Sequence, residues 1–228
     1  MEPSVLTFQD LEEATHDFSN YYVLGEGKHG KTYKANLGTG EAIAVKLLGI
    51  DDPVLDDEGL QNEFHKLRRL RHRNLVGCLN YCYETRLVPE KQHQKTFRAL
   101  CFDLVPNGNL TRYISYETSG LDWRLRFQII KGICEGLMYL HEGQEEPIYH
   151  SDLKPSNILL DHNMVPKLAD FNLIKIIHEY LRERQIEDEL RYRPPECFNG
   201  RMASKEFDIF SLGAVMIEIV TGRPSKRC

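Results

Sequence analysis

Along residues 4–20, SVLTFQDLEEATHDFSN, Leu11, Ala14 and Phe18 recur at spacings of three and four. That period predicts a short amphipathic helix ending before Asn20. From Tyr21 the pattern changes. YYVLGEG, KTYKANL and AIAVKLL are rich in β-branched and aromatic residues, and GTG at 38–40 reads as a hairpin turn between the last two. DDEGLQNEFHKLRRLRH returns to the helical period, with Leu60, Phe64, Leu67 and Leu70 as its apolar stripe. Acids lead this helix and bases close it, as the helix dipole favours. More strands are expected up to RALCFDLV, and PNGNL reads as a turn. The remainder is mainly helical in pattern. DWRLRFQIIKGICEGLMYLHEG carries Ile129, Ile130, Ile133, Cys134, Leu137 and Leu140 on a helical repeat. The chain therefore divides into an N-terminal extension (1–20), a strand-rich half (21–105) and a helix-rich half (106–228). The fold class is α+β, and a cleft between two such halves is a usual ligand site.

Composition narrows the picture. The chain has 228 residues, 41% hydrophobic and 28% charged, the ordinary range of a globular protein. A net charge of −5 gives no reason to expect a nucleic-acid partner. No apolar run approaches the ~18 residues of a transmembrane helix, and the acidic first twenty residues do not form a signal peptide. Six cysteines are present, and Cys78 and Cys82 lack the second pair that a zinc site needs. They are expected to be mostly buried, reduced thiols of a cytoplasmic protein.

Four stretches carry chemistry. GEGKHG, Gly25 to Gly30, is a G-x-G-x-x-G pattern whose glycines Gly25, Gly27 and Gly30 let backbone N–H groups approach phosphates. Strands follow it, whereas a dinucleotide-binding fold would place a helix there. Lys46 ends AIAVK on the third strand; a buried lysine needs a partner, and Glu63 on the next helix is one candidate. YHSDLKPSNILLD matches the catalytic-loop template H-R-D-L-x-x-x-N at every fixed position but one. Asp152 would accept a proton from a substrate hydroxyl, Lys154 would neutralise the transferring phosphoryl group, and Asn157 would hold a metal ion. Asp170 follows in LADFN, where a carboxylate can bridge Mg²⁺ to phosphates.

The sequence resembles the protein kinases, most of all the plant receptor-like kinases and their animal interleukin-receptor-associated relatives. FQDLEEATHDFSNYYVLGEGKHGKTYKA, HRNLVGCLNYC, HSDLKPSNILLD, MVPKLADFNLIKI and FDIFSLGAVMIEIVTGRP carry the likeness across nearly the whole chain. The resemblance implies a bilobal kinase-like fold, ATP and Mg²⁺ as cofactors, and protein Ser/Thr hydroxyls as acceptors, since Lys154 and Pro155 follow the catalytic Asp-Leu. It implies a Lys46–Glu63 ion pair. Adenine would lie between Ala44 and Leu159, beside Thr32, with Phe102 at the back of the pocket and Asp103 to Val105 as the hinge. Asp208 would brace the catalytic loop. Other receptor-like kinases are expected as partners.

Four departures qualify the likeness. Ser151 replaces the Arg that binds a phosphorylated activation loop in many kinases, and residues 173–193 contain no Ser or Thr, leaving Tyr180 and Tyr192 as the acceptors there. Asn172 replaces Gly after Asp-Phe; Asn tolerates the left-handed region at a cost of ~1 kcal/mol, which tunes activity without abolishing it. Glu189 stands near the family's acceptor-side Thr, where it would repel Asp152 or bind Lys154. Finally, the chain ends at TGRPSKRC, soon after the apolar helix FDIFSLGAVMIEIV. If about six side chains of that helix are half covered, at ~1.5–3 kcal/mol each, the deficit rivals a domain's stability of ~5–15 kcal/mol. A truncated, weakly stable kinase is the expectation, and urea melting at an ordinary kinase-domain midpoint would refute it. Three functions remain open: an active Ser/Thr kinase, a pseudokinase or truncated decoy that docks to other kinases, and an unrelated nucleotide-binding module.

Overall fold

The computed structural model describes residues 6–27, 30–49, 57–88, 93–114, 120–171, 191–194 and 204–223. The chain divides into two units, residues 1–71 with 77–104, and residues 72–76 with 105–228.

The first unit is built on a five-stranded antiparallel sheet. Its strands are β1 (Val23–Gly27), β2 (Gly30–Asn36), β3 (Ala42–Leu48), β4 (Cys78–Val88) and β5 (His93–Asp103), in the order β1-β2-β3-β5-β4. The β2–β3 hairpin turns where GTG predicts it: Gly40 N–H donates to the Leu37 carbonyl at 2.9 Å. Helix α1 (Phe8–Thr15) packs Phe8, Leu11 and Ala14 against Ala35, Ile43, Val45, Cys82, Ala99 and Cys101. It is shorter than its periodicity suggests. A capping box between Thr7 and Asp10 starts it, and His16 ends it in the left-handed region. His16, Asp17 and Phe18 all have positive φ, so Phe18 reaches the core from beyond the helix and its ring meets Phe8 at 5.6 Å. Arg86 on β4 clamps α1 through both oxygens of Glu12, each at 2.7 Å. Helix α2 (Asp57–Arg69) buries Phe64 and Leu67, followed by Leu70, and Phe64 stacks on Tyr81 at 4.7 Å. The expected stripe residue Leu60 has a side chain outside the described residues.

In the second unit, helix α3 (Thr111–Ile114) precedes the long helix α4 (Trp123–Glu142). Asp122 caps α4 by accepting from Leu125 N–H at 2.7 Å. The expected stripe is buried at Ile129, Ile133, Leu137 and Leu140, while Ile130 and Cys134 are half-buried. A two-stranded hairpin, β6 (Ile158–Leu160) and β7 (Pro166–Leu168), interrupts the otherwise helical region. Gly132 and Gly136 let α4 lie close against β7; a Cβ on either would press into Asn74 and the Pro166 or Leu168 side chain. Asn74 stitches its own segment to β7, donating to the Pro166 carbonyl at 2.9 Å and accepting from Leu168 N–H at 2.8 Å. Helix α5 (Lys205–Thr221) starts on Ser204 and ends at Gly222, whose φ is 68°. Its carbonyl end is held by the Arg126 guanidinium, which donates to Ile219. The sequence suggests that α5 is buried on nearly every side. It buries Phe207, Asp208, Ser211, Ala214, Val215, Glu218 and Ile219, while Ile209, Ile217 and Val220 are about half exposed. Among the described residues, no helix is long and apolar enough to cross a membrane.

Candidate active site

The catalytic loop is positioned by a buried carboxylate from α5. Asp208 is fully buried. Its Oδ2 accepts from His150 N–H at 2.7 Å and its Oδ1 from Ser151 N–H at 2.8 Å. His141, on the last turn of α4, brings its Nε2 to 2.8 Å from Asp208 Oδ2. These bonds fix Ser151 at φ 64°, a left-handed conformation that costs a non-glycine residue about 1–2 kcal/mol. The turn aims the next residue, Asp152, into the loop. His150 is buried, and desolvation is the main cause that holds its pKa below the usual histidine value, against the pull of Asp208, Asp152 and Asp170.

Around Asp152 the loop closes on itself. Asn157 Nδ2 donates to the Asp152 carbonyl and to its Oδ2, both at 2.9 Å. Lys154 Nζ lies 3.1 Å from the same Oδ2. With both Nδ2 protons of Asn157 engaged, its Oδ1 is the atom left to offer a cation. Ala169 N–H donates to the Asn157 carbonyl at 2.9 Å, which ties the Asp170 segment to the loop. Asp170 has φ 59°, and Phe171 after it is buried with its ring edge-on to His150. Asn157 and Asp170 are hard oxygen donors, the chemistry that suits Mg²⁺ held by one or two protein ligands and completed by phosphates. Among the described residues no cluster of three or more His, Cys, Asp or Glu could hold a metal without such help. Leu159 lies on β6 and bridges to Asn109, and Val105 is buried in the same unit.

In the sheet unit, register decides which residues share a face. Thr32 pairs with Lys46, Ala44 with Phe102, and Gly25 with Thr32. Because side chains alternate along a strand, Thr32, Ala44, Lys46 and Phe102 fall on one face, and α1 seals the other over Ile43 and Val45. Lys46 is 6% exposed. Gly27 pairs with Gly30 at the mouth of the β1–β2 hairpin. Gly30 has φ 126°, and a Cβ there would collide with the Leu47 carbonyl oxygen. Asp103 ends β5, its carboxylate lying against Gly77.

Lys46 and Glu63, the expected ion pair, lie on β3 and α2 of the same unit. The Glu63 carboxylate bonds to Lys66 at 2.7 Å, a partner three residues on along the same helix face. Tyr192, one of the two tyrosines noted as acceptors, is half-buried. Its hydroxyl donates to the buried Glu218 carboxylate at 3.0 and 3.1 Å, and burial beside that charge pushes its pKa up. Asn172, Tyr180 and Glu189 lie outside the described residues. Sequence reasoning missed His141 as the second partner of Asp208. Its place at the polar end of an apolar helix, in YLHEG, was the available signal.

The sheet with its glycine hairpin and strand lysine, and the helical unit with a braced Asp152 loop, define a protein kinase fold. The protein kinase domain family matches residues 18–227, and the chain belongs to that family. Its relatives are plant receptor-like serine/threonine kinases. A G-type lectin S-receptor-like serine/threonine-protein kinase of Arabidopsis thaliana is 38% identical over 97% of this chain and 26% of its own length. A cysteine-rich receptor-like protein kinase of the same plant is 36% identical, over 96% of this chain and 56% of its own. The chain thus spans about a quarter to about half of these curated relatives. Among solved structures, the pseudokinase domain of BIR2, described as an immune regulator of the RLK/Pelle family, superposes with a TM-score of 0.76. It is 31% identical, over 98% of this chain and 66% of that one.

Proposed function

We propose that this chain is an ATP-dependent protein serine/threonine kinase of receptor-like kinase signalling. The observation that carries the reading is the Asp152 carboxylate, held by Asn157 at 2.9 Å and neighboured by Lys154 at 3.1 Å. A carboxylate fixed in this way can orient an acceptor hydroxyl and take its proton, with Lys154 balancing charge on the moving phosphoryl group. Lys46 would meet the nucleotide phosphates, covered by the backbone of Gly25, Gly27 and Gly30. Thr32, Ala44, Phe102, Asp103, Val105 and Leu159 would surround adenine. Asn157 and Asp170 would hold Mg²⁺, which supplies neutralisation of phosphate charge when bound. Positioning and electrostatics contribute most of the catalysis in such chemistry.

A second reading is a pseudokinase that binds nucleotide and acts by docking to other receptor-like kinases at the cytoplasmic side of a membrane. The likeness to a pseudokinase domain favours it. Incubation with Mg²⁺, γ-labelled ATP and a generic Ser/Thr substrate separates the two. Label transfer that disappears in Lys46→Met and in Asp152→Asn is the expected result. Nucleotide-dependent thermal stabilisation without transfer would replace the kinase reading with the second.

A further inference from the structure

Strand β4 is an edge of the five-stranded sheet, and among the described residues no strand or bridge pairs with its outer side. An open edge presents backbone N–H and C=O groups that a further strand can meet. The bulge of β4 lies at its start, between Cys78 and Asn80, and from Tyr83 to Leu87 the strand is regular. Helix α1 packs mainly on the inner strands, at Ala35, Ile43 and Val45, and its lead-in touches β4 at Asn80 and Cys82, which both donate to the Leu6 carbonyl. Helix α2 meets β4 at Tyr81, on which Phe64 stacks. Past these contacts Tyr83 is 44% exposed and Leu87 66%. Side chains alternate along a strand, so Tyr83, Thr85 and Leu87 share one face, and Glu84 and Arg86 share the other. Arg86 reaches back to Glu12 and Glu84 with three of the five N–H donors of its guanidinium. The edge thus reads Tyr-Glu-Thr-Arg-Leu. Its ends are apolar, and one acid and one base flank Thr85.

We propose that β4 is a docking edge for a second copy of this chain, whose own β4 runs antiparallel to it about a two-fold axis through Thr85. The edge residues select this register. A two-fold axis normal to the sheet keeps every side chain on its own face, so the axis must set one residue opposite its own copy. Centred on Glu84, two carboxylates would face each other; centred on Arg86, two guanidinium groups would. Like charges directly opposite are destabilising. Centred on Thr85, Glu84 lies opposite Arg86 of the second copy, and the symmetry makes this pair twice. On the other face Tyr83 lies opposite Leu87 of the second copy, also twice, so both exposed apolar side chains gain an aromatic–aliphatic cross-strand partner. Charges on an edge strand ordinarily hold other strands off. Here their order makes the edge complementary to itself, and the two sheets join into one continuous sheet. The inference does not rest on the kinase reading.

Sedimentation of the full chain tests it. The average mass should rise from monomer toward dimer between about 5 and 500 μM, the range of a small, transient contact. Thr85→Lys and Thr85→Glu each set like charges at the axis and should weaken self-association at least about tenfold. An equal mixture of the two variants should recover association to within about threefold of the parent, because unlike charges then meet. Thr85 is exposed and bonds Thr96 at the surface at 2.9 Å, so both variants should keep the fold, which thermal melting checks. Tyr83→Lys, which faces Leu87 of the second copy, should weaken association by a similar factor and decides the matter if the Thr85 variants unfold. A monomer throughout that concentration range would overturn the proposal. So would association that ignores these substitutions, or a mixture as weak as its components.

Discussion

Replacing Asp208 tests whether the catalytic loop is held from below. Its carboxylate is fully buried and accepts from His150 N–H at 2.7 Å and Ser151 N–H at 2.8 Å, with His141 Nε2 at 2.8 Å. Asp208→Ala leaves two backbone donors buried without an acceptor, at about 1–3 kcal/mol each. The sum, about 2–6 kcal/mol, is a large part of the ~5–15 kcal/mol that stabilises an ordinary domain. Ser151 also loses the bond that holds its left-handed backbone. Asp208→Asn keeps one acceptor but turns an amide N–H₂ toward a backbone donor, so about half of that loss is expected. Urea melting measures both variants. Amide exchange at His150 and Ser151 shows whether the loss is local to the loop. A change under about 0.5 kcal/mol for the alanine variant, within the range of a neutral surface substitution, would refute the account.

Acid should destabilise the fold. His150 is held neutral by burial, so its folded pKa lies below the unfolded value of 6.5. The unfolded chain then binds more protons, and stability falls as pH drops below about 6.5 toward the folded pKa. His72 is shifted the same way, chiefly by burial, and adds to the effect. Urea midpoints at pH 7.5 and 5.5 should differ in that direction, and His150→Asn should narrow the gap; an equal gap would sink the assignment to His150. Gly30→Ala should cost about 3 kcal/mol, since φ 126° is hostile to a side chain and the Leu47 carbonyl blocks the Cβ. Thermal melting checks it. Thr7→Ala removes the capping box of α1 and should cost about 1 kcal/mol, read as faster amide exchange in residues 8–15.

Much of this protein was legible in its residue pattern. Runs rich in β-branched and aromatic residues located β1 to β3, period-3.6 stripes located α2 and α4, and the Asp152 loop stood out because its charged residues occur at spacings chemistry demands. Local chemistry also explains where α1 starts, since Thr7 and Asp10 are three residues apart. What the one-dimensional pattern could not decide was partner choice across long separations. Asp208 meets residues 57 and 58 positions earlier in the chain, and His141 is 67 positions away. Glu63 and Lys66, by contrast, are three residues apart on one helix face, a pairing that spacing alone allows. Tyr192 and Glu218 meet across 26 positions, a contact that depends on where α5 packs. Cys82 and Cys101 are 19 residues apart in the sequence, and only the register of β4 on β5 sets them on one face of the sheet. Periodicity follows from the backbone of each segment alone; pairing depends on how separate segments pack, and that information is not local.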